Sequence, residues 1–142
     1  MKTRNRDDVP KDGADFGMPA SDFEELFDAL WDAAVITDLS GRILESNSRA
    51  QLWYLYSKSE LASRHVYSLI RDADKTLMNT ILKNMCNRFI LIENCSCVRK
   101  DKTSFPAEIA VVLLRRRQNQ LAFFIHNVTR RDGEKKTARE KD

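Results

Sequence analysis

Large apolar side chains recur at three- and four-residue spacing near the start of the chain, as Phe23, Leu26, Phe27, Leu30, Trp31 and Ala34. Such a stripe predicts a helix over residues 22–33 with one broad apolar face. Ser21 or Asp22 caps it, and Glu24 and Glu25 lie in its first turn, where the helix dipole favours them. β-Branched residues then mark a short strand, Ala34-Val-Ile-Thr-Asp38. Leu39-Ser-Gly41 reads as a turn, with Gly41 supplying a positive φ, and Arg42-Ile-Leu-Glu-Ser46 as the second strand of the hairpin. Asn47 or Ser48 caps a helix running from Arg49 to about Tyr56, and Ser57-Lys-Ser-Glu60 has the spacing of a capping box. Residues 61–88 read as helical in pieces. The clearest piece is Thr76 to Met85, where Leu77, Ile81, Leu82 and Met85 share a face. From Phe89 the period shortens to two. Strands are predicted over 89–99, 104–114 and 121–128, with turns at Lys100–Thr103 and Arg115–Gln120, and Pro106 sits near a strand start, where its missing N–H is tolerated.

Helix, two strands, several short helices and three strands predict an α+β fold. Its core is one five-stranded antiparallel sheet, with short helices on one face and an N-terminal flanking helix. Pro10, Gly13, Gly17 and Pro19 crowd residues 1–20 among charges, which predicts a disordered leader. Residues 21–131 form the domain, and 132–142 a charged tail without an apolar face.

Length and charge narrow the function. The 142 residues fit one domain. The net charge of +3 arises from 24 basic and 21 acidic residues dispersed along the chain, which argues against a nucleic-acid partner. Arg115-Arg116-Arg117 sits between two apolar segments and reads as a solvated turn. The longest apolar run, Ile109 to Leu114, is far short of the roughly 18 residues that cross a bilayer, and no signal peptide is written at the N-terminus. A cytoplasmic protein without a membrane partner is expected. The 3 cysteines, with no disulfide spacing, agree with a reducing compartment.

Four segments together resemble one family. Ala34-Val-Ile-Thr-Asp38-Leu-Ser-Gly41-Arg-Ile43 followed by Asn47 is similar to the opening of a PAS domain. Ser57-Lys-Ser-Glu60-Leu61 resembles the helix that follows it in the family. Val98-Arg-Lys-Asp101 before Phe105-Pro-Ala-Glu108 resembles the long hairpin, and Asn127-Val-Thr-Arg-Arg131 the terminal Asp-Ile-Thr-Glu-Arg. The order and spacing of the four over residues 22–131 carry the resemblance. The chain departs from the pattern at several points. Leu55 and Ser63 stand where family members often have glycine, Lys102 or Thr103 replaces the hairpin glycine, and Asn127 replaces the terminal aspartate. The resemblance implies a sensory or protein-interaction module rather than an enzyme.

Chemical motifs are sparse. Gly41 is the only glycine between residues 18 and 132, so neither a P-loop nor a dinucleotide fingerprint can be written, and no nucleophile elbow exists. Glu45, Asp38 and Glu93 are the candidate general bases of an enzyme, and none has a second catalytic group in sight. Cys95 and Cys97 share a strand face but lack two further ligands for a metal, so they read as small hydrophobes of the inner sheet face. His65 is the one candidate axial ligand for haem implied by the resemblance. The stretch Ser63-Arg-His-Val-Tyr-Ser-Leu69 lacks the cysteine of the light-sensing branch. No cofactor is expected, a haem- or flavin-bound redox or gas sensor being the alternative. His126 falls on the opposite face from Phe123 and Ile125.

If a ligand pocket exists, alternation aims Val35, Thr37, Ile109, Val111, Cys95 and Cys97 into it, opposite Ile81 and Met85, with Trp53 and Tyr56 as its aromatic wall. Phe23, Phe27, Leu30 and Trp31 exceed what one sheet edge covers, which predicts a homodimer interface on that helix. Asn127 and Thr129, at the strand exit, are placed to pass a signal to a partner or output domain.

Overall fold

The computed structural model describes residues 20–115 and 118–129, with side chains from Glu25 onward. The leader as far as residue 19 and the charged tail lie outside the described residues, as do Arg116 and Arg117 of the expected turn. Helix α1 spans Ala20–Ala29, followed by strands β1 (Ala33–Thr37) and β2 (Ile43–Ser46). Helices α2 (Ser48–Tyr54) and α3 (Lys58–Ala62) come next, then a 3-10 turn at Val66–Leu69 and helix α4 (Thr76–Asn84). Strands β3 (Phe89–Val98), β4 (Ser104–Arg115) and β5 (Asn119–Asn127) complete the sheet, whose order is β2-β1-β5-β4-β3, with every neighbouring pair antiparallel.

Helix α1 ends at Ala29, four residues before the end expected from its stripe. Ala33 instead opens β1, opposite Ile125 of β5. All five β1 residues are buried, because the strand lies mid-sheet with packing on both faces. A doubly buried strand shows no alternation, and its leading alanines suit a helix as well as a strand.

The short helices and the 3-10 turn cover the inner face, where Ala33, Val35, Tyr54, Leu61, Leu69, Ile81, Ile109, Phe123 and Ile125 form one buried cluster. Helix α1 lies on the outer face, where Phe27 packs with Ala34, Ile36, Leu114 and Ala122. On α4 the buried residues are Met78 and Ile81, while Leu82 is exposed, so the expected face is rotated.

Three local devices set these positions. Asn47 is wholly buried and caps α2 by accepting from the Ala50 amide at 2.9 Å. Its Nδ2 donates to the carbonyls of Phe27 at 3.0 Å and Asp32 at 3.1 Å, fastening the end of α1 and the α1–β1 link to α2. In the β1–β2 turn, Gly41 takes φ +97° and donates its amide to the Asp38 carbonyl at 3.0 Å. A Cβ on Gly41 would lie 2.9 Å from Met78 Sδ. The capping box at Ser57 and Glu60 is formed in both directions.

Strand β3 carries a bulge. The register slips between Ile92 and Cys95, with Asn94 at φ +61°. Before it Ile90 and Ile92 face inward, and after it Cys95 and Cys97 do, so one extra residue resets the alternation.

Candidate functional site

The inner face gathers the residues aimed at a pocket. Val35, Ile81, Cys97, Ile109 and Val111 are buried in one cluster, and Trp53, Tyr56, Met85 and Cys95 pack against it. Thr37 is also buried, its hydroxyl donating to the Asp38 carbonyl at 2.7 Å. The centre of this face is filled. Phe105 meets Trp53 edge-on at 6.0 Å and Tyr54 at 5.4 Å between centroids. A planar ligand admitted here has to displace one of these side chains.

Tyr54 and Cys97 are buried together in this inner cluster. Burial raises Tyr54 well above its ordinary range and pushes the Cys97 thiol up to about 11, against the lowering influence of the Tyr54 hydroxyl. Cys95 is raised as well, by burial and then by the Glu108 carboxylate. Protonated thiols are poor metal ligands and poor nucleophiles. Among the described residues no group of three or more His, Cys, Asp or Glu side chains is placed to hold a metal. His65 stands before the 3-10 turn, half-buried, its ring stacked on Tyr67 at 5.0 Å.

The outer face has a different character. Leu26, Phe27, Leu30, Ile36, Leu114 and Phe124 line an apolar groove between α1 and the sheet, of about 160 Å³. Leu26 is 51% exposed on its rim, and Phe89 and Leu91 extend the exposed apolar surface toward the β3 edge. Of the residues expected at a dimer interface, Phe27 is buried against its own sheet and Leu30 half-buried there, while the Phe23 side chain lies outside those described. Trp31 belongs elsewhere. It follows α1 and stands under the Arg49 guanidinium at 5.2 Å.

That stack lines a cleft of about 530 Å³ at the exit of β5, with Asp32 and Trp53 beside it. His126, Asn127 and Thr129 form its other wall. His126 Nδ1 is 3.0 Å from Asp32 Oδ1, and Asn127 Oδ1 accepts the Thr129 amide at 2.7 Å, closing a turn as the chain leaves the sheet. The carboxamide keeps the acceptor that an aspartate would offer there, without its charge. No local pattern marks Arg49 as belonging with these residues, because α2, the α1–β1 link and the β5 exit are far apart along the chain.

The family model for the PAS domain matches residues 32–130. The chain belongs to the PAS family. The PAS fold recurs in solved structures. The PAS domain of an HTR-like protein from Haloarcula marismortui has a TM-score of 0.69 at 19% identity, covering 76% of this chain and 90% of that one. The PAS domain of nitrogen regulation protein NR(II) from Vibrio parahaemolyticus has a TM-score of 0.60 at 20% identity, covering 73% and 95%. A LOV protein from Rhodobacter sphaeroides has a TM-score of 0.64 at 11% identity, covering 80% and 69%. No protein with a curated description matches the sequence. As a class, PAS domains are sensory modules, and the two departures at Leu55 and Lys102 have a backbone consequence in this one. Leu55 ends α2 at φ +66° and Lys102 sits in the β3–β4 hairpin at φ +77°, both in the region that favours glycine. Ser63, at φ −97°, does not need one. Among the described residues no helix is long and apolar enough to cross a membrane.

Proposed function

We propose that this PAS domain is a homodimerising relay, which passes a ligand- or partner-dependent signal to an output domain in the cytoplasm. The observation that carries the reading is the half-covered outer face. Leu26, Phe89 and Leu91 leave apolar surface in water beside a groove with no polar lining residue. Burial of a large side chain contributes roughly 1.5–3 kcal/mol, so a second copy laid across this face gains from both sides of a two-fold axis. The interface is then Leu26 and Leu30 with Phe124, Phe89 and Leu91, while Phe27 holds α1 to its own sheet. A stimulus felt by the inner cluster reaches the outer face through β5, whose side chains alternate between the two. It leaves through Asn127 and Thr129.

Light scattering with size exclusion tests this. The wild type is expected to be a dimer at micromolar concentration, and Leu26→Glu a monomer with an unchanged far-ultraviolet circular dichroism spectrum. A monomeric wild type at high micromolar concentration overturns the dimeric relay.

A further inference from the structure

The cleft at the β5 exit is not accounted for by a dimer on the groove or by a ligand in the inner cluster. Trp31 is 81% exposed, an unusual position for the largest side chain. One of its faces carries the Arg49 guanidinium. Among the described residues that guanidinium has no hydrogen-bond acceptor, so its five N–H donors are available to a carboxylate. The carboxylate of the cleft, Asp32, is already engaged by His126. Trp53 forms the floor, half-buried against Phe105. Tryptophan and arginine together at a concave, partly desolvated place are the residue types that carry binding energy in protein interfaces. The chemistry asked of an occupant is a carboxylate beside an aromatic or apolar side chain.

The chain carries such a segment immediately before α1. Asp7-Asp-Val-Pro-Lys-Asp12-Gly-Ala-Asp15-Phe16 holds four aspartates against one lysine, and ends on an aromatic ring next to a carboxylate. The reach suffices. The ten residues of α1 rise about 15 Å, and the five residues from Pro19 back to Asp15 span up to about 17 Å when extended. Running back along α1, they bring Asp15, and Asp12 behind it, level with Trp31. A tether this short supplies a millimolar effective concentration, enough to hold a contact that is weak between separate molecules.

We infer that the Trp31–Arg49–Trp53 cleft is a docking site for residues 7–16 of the same chain, with an aspartate on the Arg49 guanidinium and Phe16 against the indoles. The segment then covers the corner where β5 leaves the sheet.

Trp31 and Trp53 are the 2 tryptophans of the sequence, so fluorescence of the full chain excited selectively at tryptophan reports on this cleft. Quenching by acrylamide, a neutral probe, is compared between the wild type and the triple variant Asp12→Asn, Asp15→Asn, Phe16→Ala. All three substitutions precede the first helix and leave the sheet core untouched. The quenching constant is expected to rise about two-fold in the triple variant, as a contact near half-occupancy is released. Arg49→Gln is expected to give the same rise, and a synthetic peptide of residues 7–18 in excess to restore protection to the triple variant but not to Arg49→Gln. Equal quenching in wild type and triple variant overturns the assignment. So does protection that vanishes on dilution, because the occupant is then a second copy. A rise in Arg49→Gln alone also overturns it, since it then reports only the loss of the guanidinium from the Trp31 ring.

Discussion

Asn47 and Ala34 clasp each other: the Ala34 amide donates to Asn47 Oδ1 at 2.9 Å, and the Asn47 amide donates to the Ala34 carbonyl at 3.0 Å. With the bonds to Phe27, Asp32 and Ala50, one buried side chain joins α1, β1 and α2 at a single point. Truncating it orphans several buried backbone groups, each at about 1–3 kcal/mol when fully desolvated. Asn47→Ala is expected to lower stability by about 3 kcal/mol in urea unfolding and to speed exchange of the Ala34 amide. A loss below 1 kcal/mol, as for a simple exposed cap, is the contrary result.

Leu55 and Lys102 adopt backbone conformations that cost an L-residue about 1 kcal/mol or more. Glycine relieves this at both, at the expense of a floppier unfolded chain. Leu55→Gly with Lys102→Gly is therefore expected to stabilise the domain by about 1 kcal/mol, a rise of several degrees in Tm. Ser63→Gly, at an ordinary φ, gains nothing and serves as the control.

Gly41 shows the same rule in reverse. Alanine there meets both the positive φ and the Met78 sulfur, for an expected loss of about 2 kcal/mol. Met78→Ala in the same chain removes the contact but leaves the strain. A double-mutant cycle therefore shows partial coupling between the two positions.

The three thiols differ in reactivity. Cys86 is exposed and is expected to react promptly with a disulfide reagent at pH 8, Cys95 slowly, and Cys97 only on unfolding. Cys97 also gives the domain an alkaline limit. Its pKa rises from 9.0 to about 11 on folding, so the unfolded chain loses this proton first. The contribution is complete below pH 9 and is lost as pH climbs through 11, by an amount on the order of 2 kcal/mol. Urea titrations of the wild type and Cys97→Ala from pH 7 to 11 check this, the slope being shallower in the variant.

Much of the fold was legible because local chemistry and global placement agree. The capping box at Ser57, the Asn47 cap, the Gly41 turn and the period-two strands each carry their signal within a few residues. The end of α1 was not, since Ala33 and Ala34 are small apolar residues that a doubly buried strand and a helix use alike. The α4 face turned on Met78, which packs beside Gly41 from far along the chain. Residues aimed at the inner face do meet there, because strand alternation is a local rule. The Trp31–Arg49 stack was invisible, because only the tertiary fold brings α2 to the end of α1.

The pairing of Ala33 with Ile125 puts the start of β1 and the finish of β5 on the same rung of one antiparallel ladder. Once α1 has been peeled from the outer face, tension between the two ends of the domain therefore bears on that rung before the others. It opens the ladder one pair at a time toward Thr37 and Leu121, as a zipper opens, instead of loading all the rungs at once in shear. Set between two heavier bodies, the domain is a link that yields at low force, and its sheet yields first at the corner where Asp32 and His126 meet.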